Sequence, residues 1–294
     1  MSNSPFFSVV IPTYNRPQLA VRAIESVLQQ EYQDFEILLI DDGSDDDYSK
    51  VVEKYKLDKR FIYHKQNNAH LSAARNKGIQ LAKGKWICFL DDDDYYLNNH
   101  LNVLKVCIDH NSQKIGMYRT FTIFENEKSE RVYQELTQKD RKDVEYSLTY
   151  VITVNNVCLH KSILEEYKFD ESLRIAEDYN MWVRILCKYT LFEAQEHTTV
   201  YFQSSQTMSS FNLSSTIKYL TSYLKTFSIE QVENGVSFKT RKRIISKYVE
   251  WYFNLLIQEK EKLNYFILKK VICSYPSIMM IKLLSKFYLY RLRK

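Results

Sequence analysis

The sequence predicts an α/β protein, with a mixed, mostly parallel sheet flanked by helices on both faces and a helical appendage at the C-terminal end. Three observations predict it. Short apolar runs rich in β-branched and aromatic residues alternate with helical patterns through the first hundred residues. The runs are continuously apolar rather than half polar, so both faces of the sheet must be covered. After about residue 210 the pattern is almost wholly helical.

The elements follow in order. Phe7-Ser8-Val9-Val10-Ile11 reads as a buried strand ended by Pro12. Next comes a helix with Pro17 near its first turn and Leu19, Ala23, Ile24, Val27 and Leu28 on one face. Glu36 to Ile40 is a second strand and Phe61-Ile62-Tyr63 a shorter third. Ser72 to Lys83 reads as a helix stopped by Gly84, and Trp86 to Leu90 as a further buried strand. Beyond residue 110 the signal is mixed: Met117 to Phe124 is strand-like, and Glu125 to Glu145 is charged. A strong helix covers Glu177 to Tyr189, with Trp182, Ile185, Leu186 and Tyr189 spaced for one buried face. Ser/Thr enrichment between Ser204 and Ser215 marks a soft boundary before the helical tail.

At 294 residues, 45% hydrophobic and 26% charged, the chain has the make-up of a globular protein able to bury a full core. The five cysteines are odd in number and lack CxxC spacing, so they read as buried thiols of a reducing compartment. Neither a signal-peptide pattern nor a run of about 18 apolar residues is seen, and a cytoplasmic protein is expected. The net charge of +5 is uneven: Lys239 to Lys294 holds fourteen Lys/Arg against three Glu, leaving 27 basic and 33 acidic residues before it. The tail therefore favours an anionic partner.

Two carboxylate clusters follow predicted strands directly, Asp41-Asp42-Gly43-Ser44 and Asp91-Asp92-Asp93-Asp94. Ligands of an open parallel sheet bind beyond the carboxyl ends of its strands, so both clusters and the Pro12-Thr13-Tyr14-Asn15 turn fall on one rim. Four successive aspartates crowd uncomfortably unless a cation neutralises them, and hard ions such as Mn²⁺ or Mg²⁺ suit carboxylate and diphosphate oxygens. A solvated acidic turn is the bland alternative. No GxGxxG or GxxxxGK[ST] is present, so a phosphate here would be held by metal and side chains, with Arg75 a candidate beside its reading as a helix-surface arginine. Glu177-Asp178 opens a helix, where carboxylates serve as dipole partners. The same setting keeps an aspartate ionised for general-base work. The histidines show no metal-ligand spacing, and no nucleic-acid motif accompanies the basic tail.

Ser8 to Arg16, Asp41 to Ser44, Ser72-Ala73-Ala74-Arg75-Asn76, Asp91 to Asp94, and Glu177-Asp178 with Trp182 and Arg184 together resemble the ordered motifs of family 2 glycosyltransferases, over about residues 6 to 205. The resemblance implies a GT-A-type, Rossmann-like catalytic domain over 1–210. About 1–110 would be its nucleotide-sugar half and 111–210 its acceptor half, with a basic, aromatic-rich helical region over 211–294. It implies that Pro12, Thr13, Tyr14, Asn15, Asp42, Arg75, Asp91 and Asp92 bind the nucleotide-sugar. Asp93 would ligate Mn²⁺ or Mg²⁺, and Asp178 would be the catalytic base of an inverting displacement. A UDP-sugar donor and a saccharide or lipid-linked saccharide acceptor in bacterial surface-glycan synthesis are the expected substrates, with no nucleic acid. One departure stands out: Asn68-Ala69-His70-Leu71 lies where the family usually carries glycine, which leaves donor preference open.

Two other readings compete. A sugar nucleotidyltransferase would need a glycine-rich, lysine-containing N-terminal loop, which is missing. A non-catalytic nucleotide- or glycan-binding protein has no need of the aspartate cluster together with Asp178. For the tail, an amphipathic contact with an anionic membrane surface and simple packing on the catalytic domain both remain open.

Overall fold

The computed structural model describes residues 4–136, 144–148, 151–204 and 212–259. In chain order they form β1 (Phe7–Thr13), α1 (Pro17–Leu28), β2 (Phe35–Asp41), α2 (Ser49–Tyr55), β3 (Phe61–Lys65), α3 (Leu71–Leu81), β4 (Trp86–Phe89), β5 (Tyr95–Tyr96) and α4 (His100–His110). Then come β6 (Met117–Asn126), β7 (Arg131–Tyr133), α5 (Val144–Ser147), a 3-10 turn (Val154–Asn156), β8 (Val157–His160), α6 (Lys161–Glu166), α7 (Glu177–Leu186) and β9 (Leu191–Gln203). Three helices close the described chain: α8 (Leu213–Phe227), α9 (Glu230–Gly235) and α10 (Phe238–Glu259).

The described strands make one sheet in the order β3-β2-β1-β4-β8-β6-β9-β5, with β7 beside β6. β1 runs parallel to β2 and β4, and β2 to β3. β8 is antiparallel to both its neighbours, whereas β6 and β9 share a long parallel ladder. The long ladders are thus parallel and the antiparallel ones short, and one sheet runs through both halves of the expected catalytic domain.

Alternation along continuously apolar strands buries both faces. Phe7, Val9 and Ile11 of β1 join Ile37 and Leu39 under α1, α2 and α4. Val10, Leu38 and Ile40 meet Ile87, Phe89 and the helices α3, α6 and α7 on the other face. Each such side chain withdrawn from water stabilises the fold by roughly 1.5–3 kcal/mol at most.

Several expected boundaries shift. β1 does not end at Pro12 but continues to Thr13. The β4 ladder stops at Val10 and Phe89, and Leu90 N still donates to the Val10 carbonyl. Two residues on, Pro12 turns its nitrogen to the same side, where no strand remains to be paired, so its missing N–H costs nothing. α3 ends at Leu81 and α7 at Leu186, each short of its expected end. β8, β9 and α4 carried no assignment from the sequence.

The tail helices bury a third core. Leu220, Tyr223, Leu224 and Phe227 of α8 pack with Ile245, Val249, Tyr252 and Phe253 of α10, and both meet Val183 of α7. Through Phe253 the tail therefore packs on the α/β domain. The part of the expected helical tail after Glu259 lies outside the described residues, as does most of the Ser204–Ser215 boundary. Among the described residues no helix is long and apolar enough to cross a membrane.

Candidate active site

The carboxyl ends of β1, β2 and β4 open onto one cleft of about 460 Å³. Pro12, Thr13, Tyr14, Asp42, Asp91, Asp92 and Asp93 line it, joined by Arg16, His70 and Tyr201. Asn15, Arg75 and Asp178 are not among its walls.

The two aspartates after β2 divide their work. Asp41 is fully buried, taking a 2.6 Å hydrogen bond from the Tyr63 hydroxyl and one of 2.8 Å from Ser44 N. It shapes the turn, and burial followed by the Asp41 hydrogen bond and charge pushes the Tyr63 phenol well up. Asp42 faces the cleft with its Oδ1 accepting from Gln66 Nε2 at 2.7 Å and Ala69 N at 3.0 Å. Asn15 ties the first loop to this one: its Oδ1 accepts from Asp45 N and Asp46 N, and its N donates to Ser44 Oγ. Its φ of 54° is the left-handed backbone that asparagine tolerates.

Asp91 to Asp94 form a turn in which each carboxyl has its own partner. Thr13 Oγ1 donates to Asp92 Oδ2 at 2.7 Å and contacts the Tyr48 hydroxyl at 2.6 Å. Arg16 reaches Asp93 at 3.0 Å and Asp92 at 3.4 Å. Asp94 is buried and held by Phe202 N at 2.7 Å and by Asn155 Nδ2. The same Asn155 accepts from Asp91 N at 2.8 Å, so one amide spans the turn. Behind it, Arg22 donates to the Asp93 carbonyl and lies 4.3 Å above the Phe202 ring.

The crowding shows in the acidities. Burial raises Asp92 to about 7 against the opposing Arg16 charge, and raises Asp93 with help from the Asp91 charge. Asp94 lies well above the usual carboxylate range, by burial and then by Asp93 and Asp91. Among the described residues no three His, Cys, Asp or Glu side chains converge as a ready cage. A Mg²⁺-like ion usually takes only one or two protein carboxylates and completes its shell with substrate phosphates and water. Adjacent carboxylates strained by mutual repulsion at a cleft wall fit that role.

Arg75 is neither a surface arginine nor a wall of the cleft. It is 2% exposed, and its two Nη atoms each donate at 2.7 Å, one to Asp91 Oδ1 and one to Glu177 Oε1. Burial opposes its charge, but Asp91 and then Glu177 outweigh burial and keep it protonated. The guanidinium thereby links the acidic turn to the start of α7. There Asp178 follows Glu177, its Oδ1 accepting from Tyr179 N at 2.7 Å. Ala176, in the left-handed region at φ 56°, is the residue at the helix cap, so Asp178 does not cap α7. Burial, then the Glu177 charge, raises its carboxyl to about 7, with Arg75 pulling the other way.

His70 occupies the backbone region that glycine prefers, at φ 72° and ψ 170°. A non-glycine residue there costs on the order of 1–3 kcal/mol. His70→Gly is expected to raise stability by about 1 kcal/mol, the relieved strain exceeding the extra flexibility of the unfolded chain. Urea unfolding midpoints of the two proteins measure it.

Sequence reasoning missed Asn155, Tyr48 and Tyr201 and quoted Arg16 without a role. Asn155-Asn156, a polar pair just before the apolar Val157-Cys158-Leu159 run, was the available signal for the first.

A family model described as Glycosyl transferase family 2 matches residues 8–168. An uncharacterized glycosyltransferase of Rickettsia felis is 34% identical over 194 residues, covering 63% of this chain and 31% of that protein. The putative colanic acid biosynthesis glycosyl transferase WcaA of Escherichia coli is 32% identical over 201 residues, covering 64% of this chain and 69% of that one. The chain spans only 26% to 31% of the length of its Rickettsia felis, Rickettsia conorii and Rickettsia bellii relatives. In fold it is similar to S. aureus TarS 1-349, at a TM-score of 0.69 and 18% identity, over 92% of this chain and 81% of that one. A second crystal structure of TarS 1-349, in complex with UDP, gives the same TM-score of 0.69 over 97% of this chain and 87% of that one.

Proposed function

Because this chain belongs to glycosyl transferase family 2, we propose that it transfers a sugar from a UDP-sugar to a saccharide or lipid-linked saccharide acceptor, with inversion, in the building of a bacterial surface glycan. One observation carries the reading: Asp42 and the Asp91–Asp93 turn line a single cleft, and Arg75 connects that turn to the helix bearing Asp178. TarS, similar in fold, has been solved with UDP and with UDP-GlcNAc, which supports a uridine donor. The colanic acid name of the WcaA relative supports a surface polysaccharide.

In this reading Thr13, Tyr14 and Asp42 hold the base and ribose, with Asp92 fixed beside them by Thr13. Asp93 would ligate Mn²⁺ or Mg²⁺, which would supply positive charge against the leaving diphosphate, and Asp91 or Asp92 would reach the ribose or the metal's waters. Asp178 takes the proton of the acceptor hydroxyl as that oxygen forms a bond to the anomeric carbon. The bond from that carbon to the diphosphate breaks on the opposite face, which inverts the centre. No enzyme nucleophile is needed. The proton then leaves Asp178 for solvent, an easy step for a carboxyl with a pKa of about 7.

The test is thermal unfolding with UDP, UDP-sugars and GDP, each with and without Mn²⁺. A hundredfold excess over Kd stabilises the folded state by about 2.7 kcal/mol. A Mn²⁺-dependent rise in Tm with uridine ligands alone is the expected result. No rise with any nucleotide in either condition overturns the reading.

A further inference from the structure

We propose that Tyr219 of α8 and Tyr248 of α10, with Tyr201 of β9, form an aromatic wall on which a pyranose ring of the acceptor lies beside Asp178. The inference rests on the transferase reading above and gives the tail helices a part in it, choosing the acceptor.

A relay of ring contacts runs outward from the base. Tyr179, next to Asp178, meets Tyr223 edge-on with centroids 4.5 Å apart. The Tyr223 and Tyr248 hydroxyls are 2.9 Å apart, and their rings 4.5 Å. Tyr248 stacks on Tyr219 at 5.7 Å and 25°. Tyr223 is buried, whereas Tyr201, Tyr219 and Tyr248 are half-buried. Tyr201 itself lines the donor cleft.

Electrostatics gives the same placement. Burial first, then the charges of Asp94, Asp93 and Asp91 and the Tyr219 phenol, push Tyr201 up to about 12. Tyr219 and Tyr248 are both raised, by burial and in part by the Asp178 charge. Tyr201 thus feels the charge of the acidic turn, and Tyr219 and Tyr248 that of Asp178.

The residue choice fits a sugar. The interior of the same helix pair is built from Leu220, Leu224, Phe227, Val249 and Phe253 with the buried Tyr223 and Tyr252, whereas Tyr201, Tyr219 and Tyr248 are only half-buried. A pyranose presents a face of C–H groups, weakly positive and apolar, rimmed by hydroxyls. The electron-rich face of a tyrosine matches the first, and its hydroxyl and surrounding water the second.

The experiment is saturation-transfer NMR on the full chain with UDP and Mn²⁺ present, using lactose, cellobiose and N,N′-diacetylchitobiose as probes. Tyr219→Ala, Tyr219→Leu and Tyr219→Phe are compared with the parent, and Tm confirms that each folds. At least one disaccharide is expected to show transfer to its ring protons. Its affinity should weaken up to about tenfold in the Ala and Leu variants and hold in Phe, as loss of an aromatic face predicts. The UDP-induced rise in Tm should be equal in all four proteins. Binding that ignores Tyr219, or no disaccharide binding while UDP still stabilises, overturns the wall. Binding that UDP competes away overturns it too, since the sugar then sits in the donor cleft. Tyr219-dependent binding without any UDP effect upholds the wall and removes the donor reading instead.

Discussion

Asp178→Asn is expected to lower kcat for sugar transfer about 10²–10⁴-fold, the range for loss of a positioned general base. The substitution keeps shape and the hydrogen bond from Tyr179 N, so the stabilisation by UDP should be unchanged. A parallel loss of UDP binding would assign Asp178 to the donor site instead. The pH profile adds a second readout. A base works only when deprotonated, and burial holds this carboxyl near 7. Wild-type kcat should therefore rise about tenfold per pH unit below 7 and level off above it, and that leg should vanish in the variant.

Arg75→Met is expected to be the most destabilising single change in the site, at about 3–5 kcal/mol, because it leaves buried acid groups without their counter-charge. Asp91 and Glu177 both lose a 2.7 Å ion pair, and neither is more than 28% exposed. Denaturant unfolding measures the loss. Whatever folded protein remains should show the low-pH leg of kcat moved upward, since the Arg75 charge, ahead of the Tyr179 N hydrogen bond, lowers the Asp178 pKa. A merely structural arginine would weaken the fold and leave that leg in place. Lysine should not substitute, since one ammonium cannot reproduce two diverging hydrogen bonds.

The raised carboxyls both weaken the fold when they ionise. Asp92 and Asp178 both bind a proton more tightly when folded than when unfolded. Their ionisation between about pH 4 and 7 therefore favours the unfolded chain, and the stability present below that window is lost as pH rises through it. A divalent ion bound at the acidic turn, as proposed, would offset the Asp92 part.

Most of the parallel half of the fold could be read from the chain, because fully buried strands leave an unmistakable apolar run. The second half was harder for a physical reason. β9 includes Glu193, Gln195, Glu196 and His197, since much of it lies half-exposed beside β6, and such a strand has no continuous signal. Pro12 misled in the opposite way: the rule that proline ends a strand assumes neighbours on both sides, and β4 had already stopped. In the site, the aspartates were visible as clusters after strands. The division between Asp41 and Asp42 was not, because it depends on which side of the turn meets Tyr63. Arg75 could not be placed at all, since its partners lie 16 and 102 residues away.

The position of α7 between two cores has a consequence for how this protein can change. Met181, Trp182 and Ile185 face the sheet, while Val183 and the Asn180 amide, 2.9 Å from Thr226, face the tail. α7, which carries the proposed base, packs directly on α8, which carries Tyr219. On the proposed reading, mutations that retune what docks on α8 press on the same helix that carries Asp178. Innovation in partner choice and upkeep of the chemistry are thus inherited together, and an exchange of the tail between relatives must carry α7 with it.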